Sequence, residues 1–336
     1  MKKVIIIIIL LAAIVGGFFY FRYQVYYSHG SLQGEKTFEI KKGEGNGQIA
    51  ANLKNEGLIS GKIYFYYYLR MHNLINKILP GKYDLNGKMT IPEIAVYITN
   101  EENILPGYAK ITFPEGWTSD KMADRLTANG FDGDSFLKLV KNPPAEMKNK
   151  YLYPYDKNIA TLEGYLFPDT YFLKKDLTPE NIVGKALDNF NSKVDSKLKD
   201  EIKNQNKTLN EIITMASILE KEVQTGEDMK IVSGILWNRL KTGQALQCDS
   251  TLAYVLGVNK KQYSFEESRT ASPYNTYINK GLPPGPISNP GITAIDAAIH
   301  PTDTNYNYFL SDPATGKTIY AATFEEHIAN KNKIGL

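Results

Sequence analysis

A short pattern occurs twice in this chain, 73 positions apart, and it limits the fold more than any single motif. Phe38-Glu39-Ile40-Lys41-Lys42-Gly43 aligns with Ile111-Thr112-Phe113-Pro114-Glu115-Gly116. The same offset pairs Ile49-Ala50 with Met122-Ala123, Leu53 with Leu126, and Gly57 with Gly130. Each copy reads as a short alternating strand, a glycine-centred turn, and an amphipathic helix closed by a C′ glycine. Each copy also has a later half. Tyr83-Asp84-Leu85 precedes Met89-Thr90, and Tyr171-Phe172-Leu173 precedes Leu177-Thr178. In both, a strand leads into a helix that starts near a threonine cap with a proline close by.

The chain has 336 residues, 43% of them apolar and 22% charged, which is enough for two units that each bury a core. Net charge is +3, with no basic block interleaved with aromatics, so nothing supports a nucleic-acid partner. The single cysteine, Cys248, leaves no internal disulfide and reads as a buried, inert thiol. His29, His72, His300 and His327 show neither H-x-x-x-H nor H-E-x-x-H spacing. No metal site and no cofactor motif is read. The 23 tyrosines suit a surface that meets sugars or proteins, and equally a core.

Val4 to Phe21 carry no charge. As a helix this run of about 18 residues reaches roughly 27 Å, close to the hydrocarbon thickness of a bilayer. Lys2 and Lys3 precede it, and it ends in Phe18-Phe19-Tyr20-Phe21 rather than a small-x-small cleavage site. These features predict an uncleaved single-pass transmembrane anchor over 1–22, N terminus cytoplasmic, with the rest outside the cell membrane. A cleaved signal peptide is the alternative. Residues 23–36 read as a linker.

The helix expected over 209–224 carries a glutamate pair. Ile212, Ala216, Leu219 and Val223 form its buried stripe. At about 100° per residue, Glu220 and Glu222 lie about 200° apart and flank that stripe. One turn behind Glu220 are Ala216 and Ser217; behind Glu222 are Ile218 and Leu219. An apolar setting keeps a carboxyl protonated to higher pH, and such a group acts as a general acid near neutrality. The plain alternative is two solvated helix-end charges with Lys221 between them. Further on, residues 268–291 form a loop rich in proline and glycine. Tyr274, Asn275 and Tyr277 within it offer ring, amide and hydroxyl surfaces for gripping sugars, or for packing the loop onto the core.

Several motifs occur in order. They are Leu162-Glu163-Gly164-Tyr165-Leu166-Phe167-Pro168-Asp169-Thr170-Tyr171, Ala216-Ser217-Ile218-Leu219-Glu220-Lys221-Glu222 and Asn238-Arg239-Leu240. Leu246-Gln247-Cys248-Asp249-Ser250-Thr251, Tyr274-Asn275-Thr276-Tyr277 and Gly281-Leu282-Pro283-Pro284-Gly285-Pro286-Ile287 follow. Together they resemble the YceG-like family of endolytic murein transglycosylases over nearly the whole chain. Ser250 departs from the proline that many members carry there. The resemblance implies an α+β protein: an N-terminal transmembrane helix, a LysM-like βα module over 37–106, and a catalytic domain over 107–336 with a helical core. A plain spacer or docking domain is the alternative for 37–106.

It also implies cleavage of peptidoglycan glycan strands between N-acetylmuramic acid and N-acetylglucosamine, leaving 1,6-anhydro ends. Partners expected at family level are peptidoglycan synthases and division or elongation proteins. The acid falls in the Glu-Lys-Glu triplet, with Glu222 the first choice and Glu220 the second. Ser217, Gln247, Asp249, Tyr274, Asn275 and Tyr277 are the expected substrate-binding residues. Asp249 is either the N-cap of the following helix or a second electrostatic partner. Glu163 and Asp169 line the cleft or serve in turns and caps. Two rivals stay open: a muramidase that uses water with Asp249 as second carboxylate, and a non-catalytic wall-binding scaffold.

Overall fold

The computed structural model describes residues 2–103, 108–152, 159–260, 262–312 and 314–335; the side chains of 2–12, 102, 108 and 172 are outside that description. The chain divides into two compact units, 1–109 and 110–336. The expected boundary between 106 and 107 lies outside the described residues.

The first unit runs α1 (Lys2–Tyr26), β1 (Glu35–Ile40), α2 (Asn46–Asn55), α3 (Lys62–Met71), β2 (Gly81–Asn86) and α4 (Ile91–Tyr97). β1 and β2 pair antiparallel, with Phe38 opposite Tyr83. Alternation turns Phe38, Ile40, Tyr83 and Leu85 inward, onto Ile49 and Leu53 of α2 and Ile94 of α4. α4 starts at Thr90, which makes a reciprocal capping box with Glu93.

The second unit repeats this plan and extends it. β3 (Tyr108–Thr112) leads to α5 (Ser119–Ala128), α6 (Gly133–Lys141) and α7 (Ala145–Leu152). β4 (Thr170–Lys174) pairs with β3, and α8 (Pro179–Lys193) begins at the Thr178 cap. Gly43 and Gly116 turn at φ of 78° and 72°, and Gly57 and Gly130 close their helices at 72° and 82°. Both copies thus place glycine where a side chain would strain the backbone.

Helices α9 (Ser196–Asn204), α10 (Leu209–Glu222), α11 (Gly226–Lys241), α12 (Asp249–Leu256) and α13 (Ile292–Ile299) follow. The hairpin β5 (Tyr308–Ser311) and β6 (Thr318–Ala321), then α14 (Phe324–Lys333), close the chain. α10 is the central rod, packed against α9, α11, α12 and α13.

The mixed α+β character stands, but the membrane-spanning part of the expected fold does not. Among the described residues no helix is long and apolar enough to cross a membrane. The last turns of α1 hold Arg22 and Gln24 and pack on their own unit: Val25 is buried, and Phe21 meets Tyr64 edge-on at 5.6 Å. The single-pass anchor, and with it the cell-membrane location with an external catalytic part, is therefore withdrawn. The LysM-like label likewise finds no support: β1, β2 and α2–α4 share one core with the end of α1.

Candidate active site

α10 fixes the position of the glutamate pair. Its start is set by Thr208, whose hydroxyl accepts from the Glu211 N–H at 3.1 Å while the Glu211 carboxylate accepts from the Thr208 N–H at 2.7 Å. Ile212, Met215, Ala216, Ile218 and Leu219 are fully buried. The helix stops at Glu222 because Val223 turns extended, φ −141° and ψ 157°. Glu222 thus leaves the helix end toward the first turn of α12, where the Ser250 N–H donates to its Oε1 at 3.0 Å. Burial pushes the Glu222 carboxyl above the usual carboxylate range, and Asp249 adds to the rise. The Ser250 hydrogen bonds and the Arg239 charge pull the other way and are outweighed.

A groove of about 490 Å³ borders Glu222. Gln247, Asp249 and Tyr277 also line it, as do Tyr308 of β5 and Lys331 of α14. A second groove, about 430 Å³, is lined by Glu220, Lys221 and Glu222 and by the β5–β6 turn at Asp312 and Gly316. Glu222, Asn259 and Ser311 border both, so the two grooves adjoin at Glu222.

The structure therefore brings four expected residues together: Glu222, Gln247, Asp249 and Tyr277. Gln247 stands at φ 50°, a costly conformation for a side-chain-bearing residue. It is held there because the Gln247 N–H donates to the Thr276 carbonyl at 3.1 Å and the Cys248 N–H to the Thr276 hydroxyl at 3.0 Å. Asp249 is the first helical residue and not the cap, which is Cys248. The Asp249 carboxylate accepts from the Tyr277 hydroxyl at 2.6 Å. Cys248 is buried, and burial raises its thiol well above the ordinary value.

Other expected residues sit elsewhere. Asn275 is fully buried, and its amide donates to the carbonyls of Ser268 at 3.0 Å and Thr270 at 2.8 Å. Its Oδ1 accepts from the Tyr277 N–H at 3.0 Å. It orders the loop that carries Tyr277 and presents no face to a ligand. Ser217 is also fully buried: it donates to the Thr214 carbonyl at 2.7 Å and accepts from the Ile287 N–H at 3.0 Å, pinning the Pro-Gly loop to α10. Tyr274 lines neither groove; its ring packs on Tyr254 at 5.0 Å. Glu220 accepts from the Gly291 N–H at 3.0 Å, and burial and then Glu115 raise its pKa.

Two further residues of the ordered motifs, Arg239 and Glu163, act on the surrounding backbone. Arg239 stands in the last turn of α11. Its guanidinium donates to the carbonyls of Leu246 and, at 2.7 Å, Asn307, tying the Gln247 segment to the approach of β5. Glu163 is buried. Its carboxyl accepts from the Ser119 N–H at 3.0 Å, from the Ser119 hydroxyl, and from the Asn289 amide at 2.7 Å. Burial pushes it to about 7. Asn289 also accepts from the N–H groups of Gly164 and Leu166 at 2.9 and 3.0 Å. Asp169 accepts from the Asn189 amide at 2.9 Å and from its neighbour's N–H, a turn role.

The profile of the YceG-like family matches residues 38–333, through both units. The chain belongs to the YceG-like family. It is 33% identical over 308 residues to the endolytic murein transglycosylase of Bacillus subtilis strain 168, covering 88% of this chain and 83% of that one. The corresponding protein of Streptococcus pneumoniae strain D39 is 31% identical over 320 residues, with 88% of this chain and 57% of that one covered. The crystal structure of a YceG-like protein from Listeria monocytogenes superposes with a TM-score of 0.62 at 33% identity, over 90% of this chain and all of that one. Among YceG-like proteins, then, the fold described here has a solved counterpart, and the Glu-Lys-Glu helix belongs to the matched region.

Proposed function

We propose that this protein is an endolytic murein transglycosylase with Glu222 as its acid. The observation that carries the reading is the Glu222 carboxyl, raised by burial, at the junction of two grooves and beside Gln247, Asp249 and Tyr277. Its curated relatives bear that activity in their names.

In the proposed reaction, neutral Glu222 protonates the glycosidic oxygen between muramic acid and glucosamine. The C1–O bond breaks, and the glucosamine leaves with its hydroxyl restored. The anomeric carbon becomes oxocarbenium-like, and Asp249, held by the Tyr277 hydroxyl, lies close enough to Glu222 to stabilise that charge. Glu222, now ionised, takes the proton of the muramic C6 hydroxyl as that oxygen bonds to C1. The acid is regenerated and a 1,6-anhydro ring closes. No water is consumed and no protein nucleophile is used, unlike two-carboxylate hydrolysis. Acting on growing strands, beside the synthases that extend them, such a cut sets strand length.

Mass spectrometry of uncrosslinked strands digested by the full-length protein tests the outcome. New muramic ends about 18 Da lighter than reducing ends are expected, because no water enters. Reducing ends in their place favour the muramidase alternative, in which Asp249 activates water. No cleavage under any condition favours a wall-binding scaffold.

A further inference from the structure

We propose that the face of α14 bordering the Glu222 groove is a subsite for the carboxylates of the peptide stem on muramic acid. The inference rests on the glycan-cleaving reading given above. Phe324, His327 and Lys331 follow at spacings of three and four and so share one face of α14. All three line the 490 Å³ groove that Glu222 and Asp249 also line.

The face combines an aromatic wall with one available charge. The His327 ring stacks on Tyr308 at 5.2 Å and 25°, and Phe324 lies 5.9 Å from Tyr308. Burial, with Lys331 and Arg239 nearby, lowers the His327 pKa, so the ring is neutral at neutral pH. Its Nδ1 is buried without a hydrogen-bond partner among the described residues. The other cations of the groove are engaged: Arg239 by the Leu246 and Asn307 carbonyls, Lys260 by Glu267. Among the described residues Lys331 has no acidic partner.

Substrate chemistry matches this asymmetry. Of the two murein sugars, only muramic acid bears an acidic arm. On an intact strand its lactyl carboxyl is joined in amide linkage to the peptide, whose own carboxylates carry the charge. Asp249 repels such an arm and Lys331 attracts it, while the rings cover its apolar parts. A strand bound with its arm along α14 presents muramic acid, and not glucosamine, on the cleaved side.

The test is a binding measurement on the full-length Glu222→Gln protein, with soluble strand fragments that carry acidic peptide stems. Adding Lys331→Ala is expected to weaken binding about fivefold, and Lys331→Arg to restore most of it. Converting the fragment's carboxyls to amides is expected to remove the difference between the Lys and Ala proteins. Equal affinity of those two proteins for acidic fragments overturns the proposal, as does a deficit that survives amidation. Because binding needs no turnover, an inert wild-type enzyme refutes the cleavage reading alone.

Discussion

In the first copy of the repeat, Gly43 turns the chain at φ 78° with open space where a Cβ would stand; in the second, Gly116 makes the same turn at 72° with Glu220 Cγ 3.3 Å from that point. The contrast continues inward. Among the described residues, the buried side chains of the first unit are apolar or aromatic, whereas the second unit buries Glu163, Ser217, Asn275 and Asn289. One local code for strand, turn and capped helix therefore serves two ends. The first copy closes over a core. The second packs a polar framework around the Glu-Lys-Glu helix, and each buried polar group there must find a partner or destabilise the unit.

The largest break in the comparison is expected at Glu163, which has no buried counterpart in the first copy. The folded unit keeps its proton up to about pH 7, whereas the unfolded chain releases it near 4.5. The stabilisation is thus full below pH 4.5 and is lost as pH rises through 7, a change of about 3 kcal/mol. Urea unfolding of the second unit should show that slope in the parent and lose most of it in Glu163→Gln. An equal slope in both proteins contradicts the assignment.

The paired glycines sharpen the contrast. Alanine at either position strains the backbone by about 1–2 kcal/mol. Only at Gly116 does the added methyl also press on Glu220, so Gly116→Ala should lower glycan cleavage by about tenfold while Gly43→Ala leaves it unchanged. Equal rates for the two variants remove Gly116 from the support of the site. The smallest effect is the shared one: Thr90→Ala and Thr178→Ala should each cost about 1 kcal/mol, read as a lowered urea midpoint of the respective unit. A large difference between them breaks the idea of a common code.

The sequence made these shared features visible because they are local. The threonine caps, the positive-φ glycines and the start of α10 follow from spacing alone, whereas spacing carried that helix on to 224 and the chain turns extended at Val223. The juxtaposition of Glu222 with Gln247, Asp249 and Tyr277 was implied by the family resemblance and not by spacing. Misplaced residues share one cause. Asn275 and Ser217 have side chains suited to sugars, but whether such a side chain faces out depends on which carbonyls fold over it. Glu163 meets Asn289 across 126 positions of sequence, a distance over which no periodicity operates. Phe324, His327 and Lys331 share one face of α14 by spacing, but that this face borders the Glu222 groove is decided by packing. The apolar N-terminal run suggested an anchor on length, yet its described end packs into the first unit.

The central claim is that Glu222 supplies and recovers the proton. Turnover of uncrosslinked glycan strands by full-length Glu222→Gln, beside the parent and Glu220→Gln, tests it most directly. A fall of about 10²–10⁴-fold in Glu222→Gln, with a smaller loss in Glu220→Gln, is the predicted result. Cleavage by Glu222→Gln at the parent rate contradicts it.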